Sequence, residues 1–228
     1  MGAPLHSEVS ASPPVGAAAA RTAVAIVDYG MGNLRSVANA IQTLGHSPRI
    51  TRDADAIASA RALVLPGVGA FNEAMSRLDA LGLVAPLTRR VIDEATPFLG
   101  ICLGMQLCAE HSTEGGFHVG LGWVKGSVDL IAGGRDIRLP HVGWNDVHWN
   151  EGEALFHNVA AGANFYFDHS YALECDAGIV AGTVEYDGTI IAALRKDNIF
   201  ATQFHPERSQ NNGLRVSRNF LNHVDGDA

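Results

Sequence analysis

The chain has no run of basic residues, no long apolar stretch and only three cysteines. Each of these shortages excludes something. With 16 Lys and Arg against 24 Asp and Glu, the net charge is −8, so neither nucleic acid nor an anionic membrane surface is an expected partner. No apolar run approaches the ~18 residues of a membrane span. Cys102, Cys108 and Cys175 are odd in number and share no repeated spacing. They do not form a disulfide framework, which favours a reducing compartment, and a cytoplasmic location is expected. No Cys–His spacing suits a zinc site, and no cofactor is expected. The first 22 residues are rich in Ala, Pro, Ser and Gly but lack a basic start and an apolar core. They read as a disordered extension rather than a secretory signal. The remaining 23–228 are enough for one sizeable core and one α/β domain.

The first half alternates strands and helices. Ala23–Val27, Arg49–Thr51, Ala62–Leu65 and Pro97–Ile101 read as strands. Asn33–Leu44, Asp53–Ala60, Phe71–Leu81 and Val84–Glu94 read as helices, with Asp53 as a cap. This alternation predicts a mostly parallel open sheet flanked by helices. From Leu121 onward, short strands broken by Gly, Asp and Asn are expected at Gly122–Val124, Val142–His148, Asn164–Phe167, Gly178–Val184 and Ile190–Leu194. They predict an antiparallel excursion. A final strand at Phe200–Gln203 and a helix near Leu214–His223 close the chain.

Three segments carry chemistry. In Thr96-Pro97-Phe98-Leu99-Gly100-Ile101-Cys102-Leu103-Gly104-Met105-Gln106, a cysteine stands between glycines two residues away on either side. This is the thiol analogue of the nucleophile elbow, a strand turning sharply into a helix whose N–H groups favour the thiolate. The bland alternative is a buried free cysteine in a strand-to-helix turn. Ile199-Phe200-Ala201-Thr202-Gln203-Phe204-His205-Pro206-Glu207 shifts the balance. On an extended backbone His205 and Glu207 share a side, so the carboxylate orients the imidazole as in a nucleophile–base–acid triad. Leu63-Val64-Leu65-Pro66-Gly67-Val68-Gly69 ends a strand with glycines that turn backbone N–H groups towards a ligand, as an oxyanion hole requires. In contrast, the Gly30-Met31-Gly32-Asn33 loop would need its third fingerprint glycine at Arg35, so nucleotide binding there is rejected.

Together these segments resemble the class I (triad) glutamine amidotransferases, over nearly everything from Ala23 to Val224. Within that family, Val27-Asp28-Tyr29-Gly30-Met31-Gly32-Asn33-Leu34-Arg35-Ser36-Val37, the Val68 of Pro66–Gly69, Tyr166-Phe167-Asp168-His169-Ser170-Tyr171 and Gln203–Gln210 are similar to the branch that serves histidine biosynthesis. The resemblance implies glutamine as substrate, Cys102 as nucleophile, His205 as base and Glu207 as its orienter. It implies an oxyanion hole from Gly67, Val68, Gly69 and Leu103, and substrate contacts from Gln106, Glu114, Ser170 and Tyr171. It further implies a heterodimer with a separate barrel-shaped cyclase subunit, which receives the ammonia through a protected channel. Asn33, Tyr166 and Arg208 match positions that face that partner. Two positions depart from the branch's pattern: Arg208 replaces a lysine, and Asp168 replaces an apolar residue. The rival readings are a glutaminase of another synthase, or a catalytically silent regulatory module on the same fold.

Overall fold

The computed structural model describes residues 23–132 and 138–226. The extension expected over residues 1–22 lies outside the described residues, as do 133–137 and 227–228.

Three buried apolar segments, β1 (Ala23–Val27), β3 (Ala62–Gly67) and β4 (Phe98–Cys102), and the mostly exposed edge strand β2 (Ser47–Thr51) build one half of the main sheet. Short pairings follow in β5 (His111–Ser112), β6 (His118–Val119) and β7 (Gly126–Leu130). The second half supplies β8 (His141–His148), β9 (Asn164–His169), β10 (Tyr171–Cys175), β11 (Val180–Glu185), β12 (Thr189–Lys196) and β13 (Ile199–Thr202). The main sheet runs β2-β1-β3-β4-β13-β12-β11-β8-β9, and a second sheet runs β10-β7-β5-β6. Pairings from β2 through β13 are parallel, and β12, β11, β8 and β9 continue antiparallel. The expected parallel sheet with an antiparallel excursion is therefore present.

Alternation along the inner strands feeds two cores, because successive side chains leave opposite faces of a sheet. Ala25, Val27, Leu63 and Leu65 pack on one face; Val24, Ile26, Ala62 and Val64 pack on the other. Helix α1 (Leu34–Thr43) buries Val37 and Ile41 on the second face, joined by Val216 and Phe220 of the C-terminal helix α6 (Gln210–Asp225). The first face takes Ile57 of α2 (Ala54–Ser59), Phe71 and Leu78 of α3 (Phe71–Ala80) and Leu87 of α4 (Val84–Thr88). The Asp53 carboxylate caps α2 by accepting from Asp55 N.

Three local expectations need correction. Gly122–Val124 is not a strand. The N–H groups of Trp123 and Val124 both donate to Cys108 O, so the segment closes the turn that follows α5 (Leu103–Gln106) instead of pairing with a neighbour. The second sheet, with β7 and β10, replaces what reads in the sequence as loop. The helix expected over Val84–Glu94 changes winding at Arg89, where a π-helical stretch runs to Asp93.

Candidate active site

Strand register brings the three chemical segments together. β4 lies between β3 and β13, with Gly67 opposite Cys102 and Thr202 opposite Ile101. All three strands run parallel, so Pro66–Gly69, Cys102 and Gln203–His205 emerge at the same edge. This is the end of an open α/β sheet where ligands bind.

Cys102 sits at φ 53° and ψ −108°, a conformation a non-glycine residue adopts only when its surroundings impose it. Those surroundings are the neighbouring glycines. A side chain on Gly100 would stand 2.7 Å from Gly104 O, and one on Gly104 would run into Leu65 O. With both bare, strand and helix close together and the thiol projects from the corner. Helix α5 (Leu103–Gln106) starts immediately after Cys102 but lasts only one turn. Its first N–H, on Leu103, has no intrahelical acceptor and stays with the nucleophile. Gly69 adopts φ +99°, and Val68 beside it is 44% exposed. The Gly30–Asn33 loop packs against this strand, since a side chain on Gly32 would lie 3.1 Å from Pro66 O. Asn33 itself accepts from Ser36 Oγ at 2.9 Å.

His205 Nδ1 meets Glu207 Oε1 at 2.9 Å, and both side chains are buried. The backbone route differs from the extended one expected. Only His205 is extended; Pro206 opens a short 3-10 turn through Arg208 that swings Glu207 beneath the imidazole. His205 N donates to Tyr166 O and Ser209 Oγ donates to His205 O, which fixes the residue at both ends. Nε2 is buried with no partner in full hydrogen-bond geometry, and the Cys102 side chain interacts with the imidazole. Burial alone would lower the imidazole pKa. The sulfur of Cys102, and then the carboxylate of Glu207, outweigh burial and raise it to about 10.

A cavity of about 320 Å³ opens over the thiol, lined by Val68, Gly69, Cys102, Leu103, Gln106 and Glu114 on one side. Asp168, His169, Ser170, Tyr171 and Pro140 line the other. Every expected oxyanion and substrate residue except Gly67 is in this lining, and Gly67 pairs with Cys102 in register. Glu114 is not a solvated surface acid: its Oε2 accepts from Phe71 N at 2.8 Å, at the start of α3. The other two thiols lie apart from the cavity. Burial pushes Cys108 up to about 12, and burial with the Asp176 charge pushes Cys175 up to about 11. Among the described residues no cluster of His, Cys, Asp or Glu is suited to a metal ion, and no helix is long and apolar enough to cross a membrane.

The two positions that depart from the family branch meet each other. Arg208 Nη1 lies 3.6 Å from Asp168 Oδ2, and the guanidinium sits 3.8 Å over the Tyr166 ring. Beside them Val142 is 54% and Trp144 46% exposed, with Trp144 edge-on to Tyr166 at 6.2 Å. Sequence reasoning missed Val142 and Trp144, which occupy alternate outward positions of β8. Alternation with His141 and Val147, both buried, was the available signal.

A family model described as glutamine amidotransferase class-I matches residues 25–224. The imidazole glycerol phosphate synthase subunit HisH of Syntrophotalea carbinolica is 45% identical over 203 residues, covering 86% of this chain and 98% of the relative. The subunit of the same name from Geobacter sulfurreducens is 44% identical over 205 residues, covering 87% and 98%. Among solved structures, a glutamine amidotransferase superposes with a TM-score of 0.70 at 21% identity, covering 89% of this chain and 98% of that one. The structure of PurLQS from Thermotoga maritima gives 0.66 at 18% identity, covering 90% and 99%. At those identities the two structures speak for the fold.

Proposed function

The chain belongs to the class-I glutamine amidotransferase family, and we propose that it hydrolyses glutamine to glutamate and ammonia for the cyclase subunit of imidazole glycerol phosphate synthase. Residues 23–228 form the glutaminase domain in this reading. The cyclase consumes the ammonia in making imidazole glycerol phosphate and an aminoimidazole carboxamide ribotide, in histidine biosynthesis. The compartment is the cytoplasm.

The observation that carries the reading is Cys102 at its strained corner, opening on one cavity while its sulfur interacts with the His205 of a buried His205–Glu207 pair. Glutamine enters with its side-chain amide over the thiol, its α-groups held by Glu114, Ser170 and Tyr171. The thiolate attacks the amide carbon. The oxyanion is met by N–H groups of Leu103 and the Gly67–Gly69 strand. His205, charged at rest, protonates the departing nitrogen and releases ammonia. Its neutral form then takes a proton from water, which attacks the glutamyl thioester. The carbon–sulfur bond breaks, the electron pair returns to sulfur, and glutamate leaves. Glu207 holds the ring throughout.

The partner face is the rim formed by Asn33, Tyr166 and Arg208, extended by Val142 and Trp144. Exposed apolar and aromatic residues beside an arginine are the composition of a protein interface rather than of open surface. Co-purification of the chain with the cyclase subunit, followed by glutamine-dependent product formation, tests the assignment. Free ammonia is expected to support the cyclase reaction without this chain. A chain that captures a different synthase and leaves this cyclase dependent on free ammonia overturns it.

A further inference from the structure

Gln203 and Gln106 are buried polar side chains in direct line with the nucleophile. Gln203 is fully buried at the end of β13, with its backbone N–H held by Ala192 O at 2.8 Å. Such an amide is retained in a core only when its groups are bonded. The orientation of each amide follows by elimination, starting from a backbone carbonyl that can only accept. Gln106 Nε2 is 2.9 Å from Tyr171 O, so the NH2 end of Gln106 faces it. That same NH2 lies 3.0 Å from Gln203 Oε1 and supplies it with its second hydrogen. The oxygen of Gln203 is therefore committed, and its NH2 points to Cys102 Sγ at 3.5 Å.

We propose that Gln203 is a catalytic residue of the glutaminase site, donating an N–H hydrogen bond to the Cys102 sulfur, and that Gln106 is the positioning residue that aims it. The inference rests on the glutaminase reading for its context. Sulfur is an anion twice in the cycle: when it attacks, and when the electron pair of the broken carbon–sulfur bond returns to it. In both states it takes a charge-assisted bond from Gln203, with no proton transferred. In the thioester the sulfur is neutral and the bond weakens. The contact thus favours the thiolate ahead of attack and eases its departure during hydrolysis of the thioester. His205 and Gln203 share the sulfur, one moving protons and the other holding charge.

The test reads the pH dependence of Cys102 alkylation by iodoacetamide, followed by mass spectrometry, in the full chain. It needs no glutamine turnover, so it stands whether or not glutamine is the substrate. Gln203→Met removes the donor at similar length and is expected to move the profile to higher pH by about one unit, a tenfold slower reaction at neutral pH. Gln203→Glu keeps the shape and places an acceptor against sulfur, so it is expected to slow alkylation further. Gln106→Leu leaves Gln203 in place without its aim and is expected to shift the profile in the same direction by less. Melting curves confirm that each variant is folded. An unmoved profile in folded Gln203→Glu, or in folded Gln106→Leu with Gln203 intact, overturns the proposal while leaving the glutaminase reading standing.

Discussion

Arg208 Nη1 and Asp168 Oδ2 lie 3.6 Å apart, and by the sequence resemblance both residues depart from the pattern of the family branch. An arginine in place of lysine brings a planar cation that lies over Tyr166. An acid in place of an apolar residue gives that cation a partner within the chain. Both side chains are well exposed, so solvent screens their attraction. The double-mutant cycle of Asp168→Val and Arg208→Lys is expected to show a coupling below about 1 kcal/mol in the isolated chain. Affinity for the cyclase is expected to change more than stability does, because the pair sits on the proposed contact face. Chemical denaturation and binding titrations of the four proteins check this.

The thiols differ enough for selective labelling. A glutamine-analogue alkylator is expected to modify Cys102 and spare Cys108 and Cys175, whose pKa values burial raises to about 12 and about 11. Cys102→Ser is expected to keep its melting temperature, since the hydroxyl fills nearly the same volume. Peptide mapping and thermal denaturation measure both. Equal labelling of Cys175 would contradict the assignment of the reactive thiol.

In the proposed mechanism Glu207 orients a base that survives its loss. Glu207→Gln is expected to reduce turnover less than His205→Ala, with each variant checked for folding. The same pair gives a pH signature. The folded-state pKa of His205 is raised to about 10 from an ordinary 6.5, so its stabilising contribution is complete below pH 6.5 and is lost as pH rises through about 10. Melting temperatures from pH 6.5 to 10 are expected to fall more steeply in wild type than in Glu207→Gln.

His141 and His169 act in the opposite sense. His141 Nδ1 and His169 Nε2 lie 3.1 Å apart, His169 Nδ1 donates to Tyr171 O, and burial lowers both pKa values to about 4. They fold as neutral rings. The unfolded chain binds more protons between pH 4 and 6.5, so stability is expected to decline as pH falls through that window. His169→Gln is expected to reduce that acid sensitivity, read by thermal denaturation at pH 7 and pH 5.

Packing at the elbow leaves no room for a methyl group. Gly104→Ala directs its new carbon into Leu65 O, and the expected cost is about 1–3 kcal/mol or more. Gly82, with open space around it, shows no such collision. Denaturation midpoints of Gly104→Ala against wild type measure the cost.

Much of this was legible in the chain itself, for physical reasons. β3 and β4 are buried on both faces, so Leu63-Val64-Leu65 and Phe98-Leu99 read as continuous apolar runs. The elbow was legible because its glycines have one use. β7 and β10 were not, because Gly126–Leu130 and Tyr171–Cys175 are stabilised by pairing with each other across more than forty residues of sequence. Gly122–Val124 misled because a short apolar triplet fits a strand and a capping turn equally well. The turn won when its N–H groups found Cys108 O. Glu207 reached its place through a turn rather than a strand, since Pro206 starts a 3-10 helix as readily as it extends one. Gln203 lay inside a recognised segment, yet its role depends on a contact with Gln106, 97 residues away.

In the proposed reading this chain is a Cys102 glutaminase whose oxyanion strand becomes productive on the liganded cyclase. Val68, exposed between Gly67 and a Gly69 at φ +99°, leaves an N–H free to turn away, and one misaligned donor suppresses turnover by about two to three decades. The direct measurement is glutamate release from glutamine by the chain alone, with the cyclase subunit, and with the cyclase subunit plus its nucleotide ligand. Hydrolysis is expected to be about a hundredfold or more faster in the liganded complex, and absent with Cys102→Ser. Equal rates alone and in the liganded complex, or hydrolysis that survives Cys102→Ser, would contradict it.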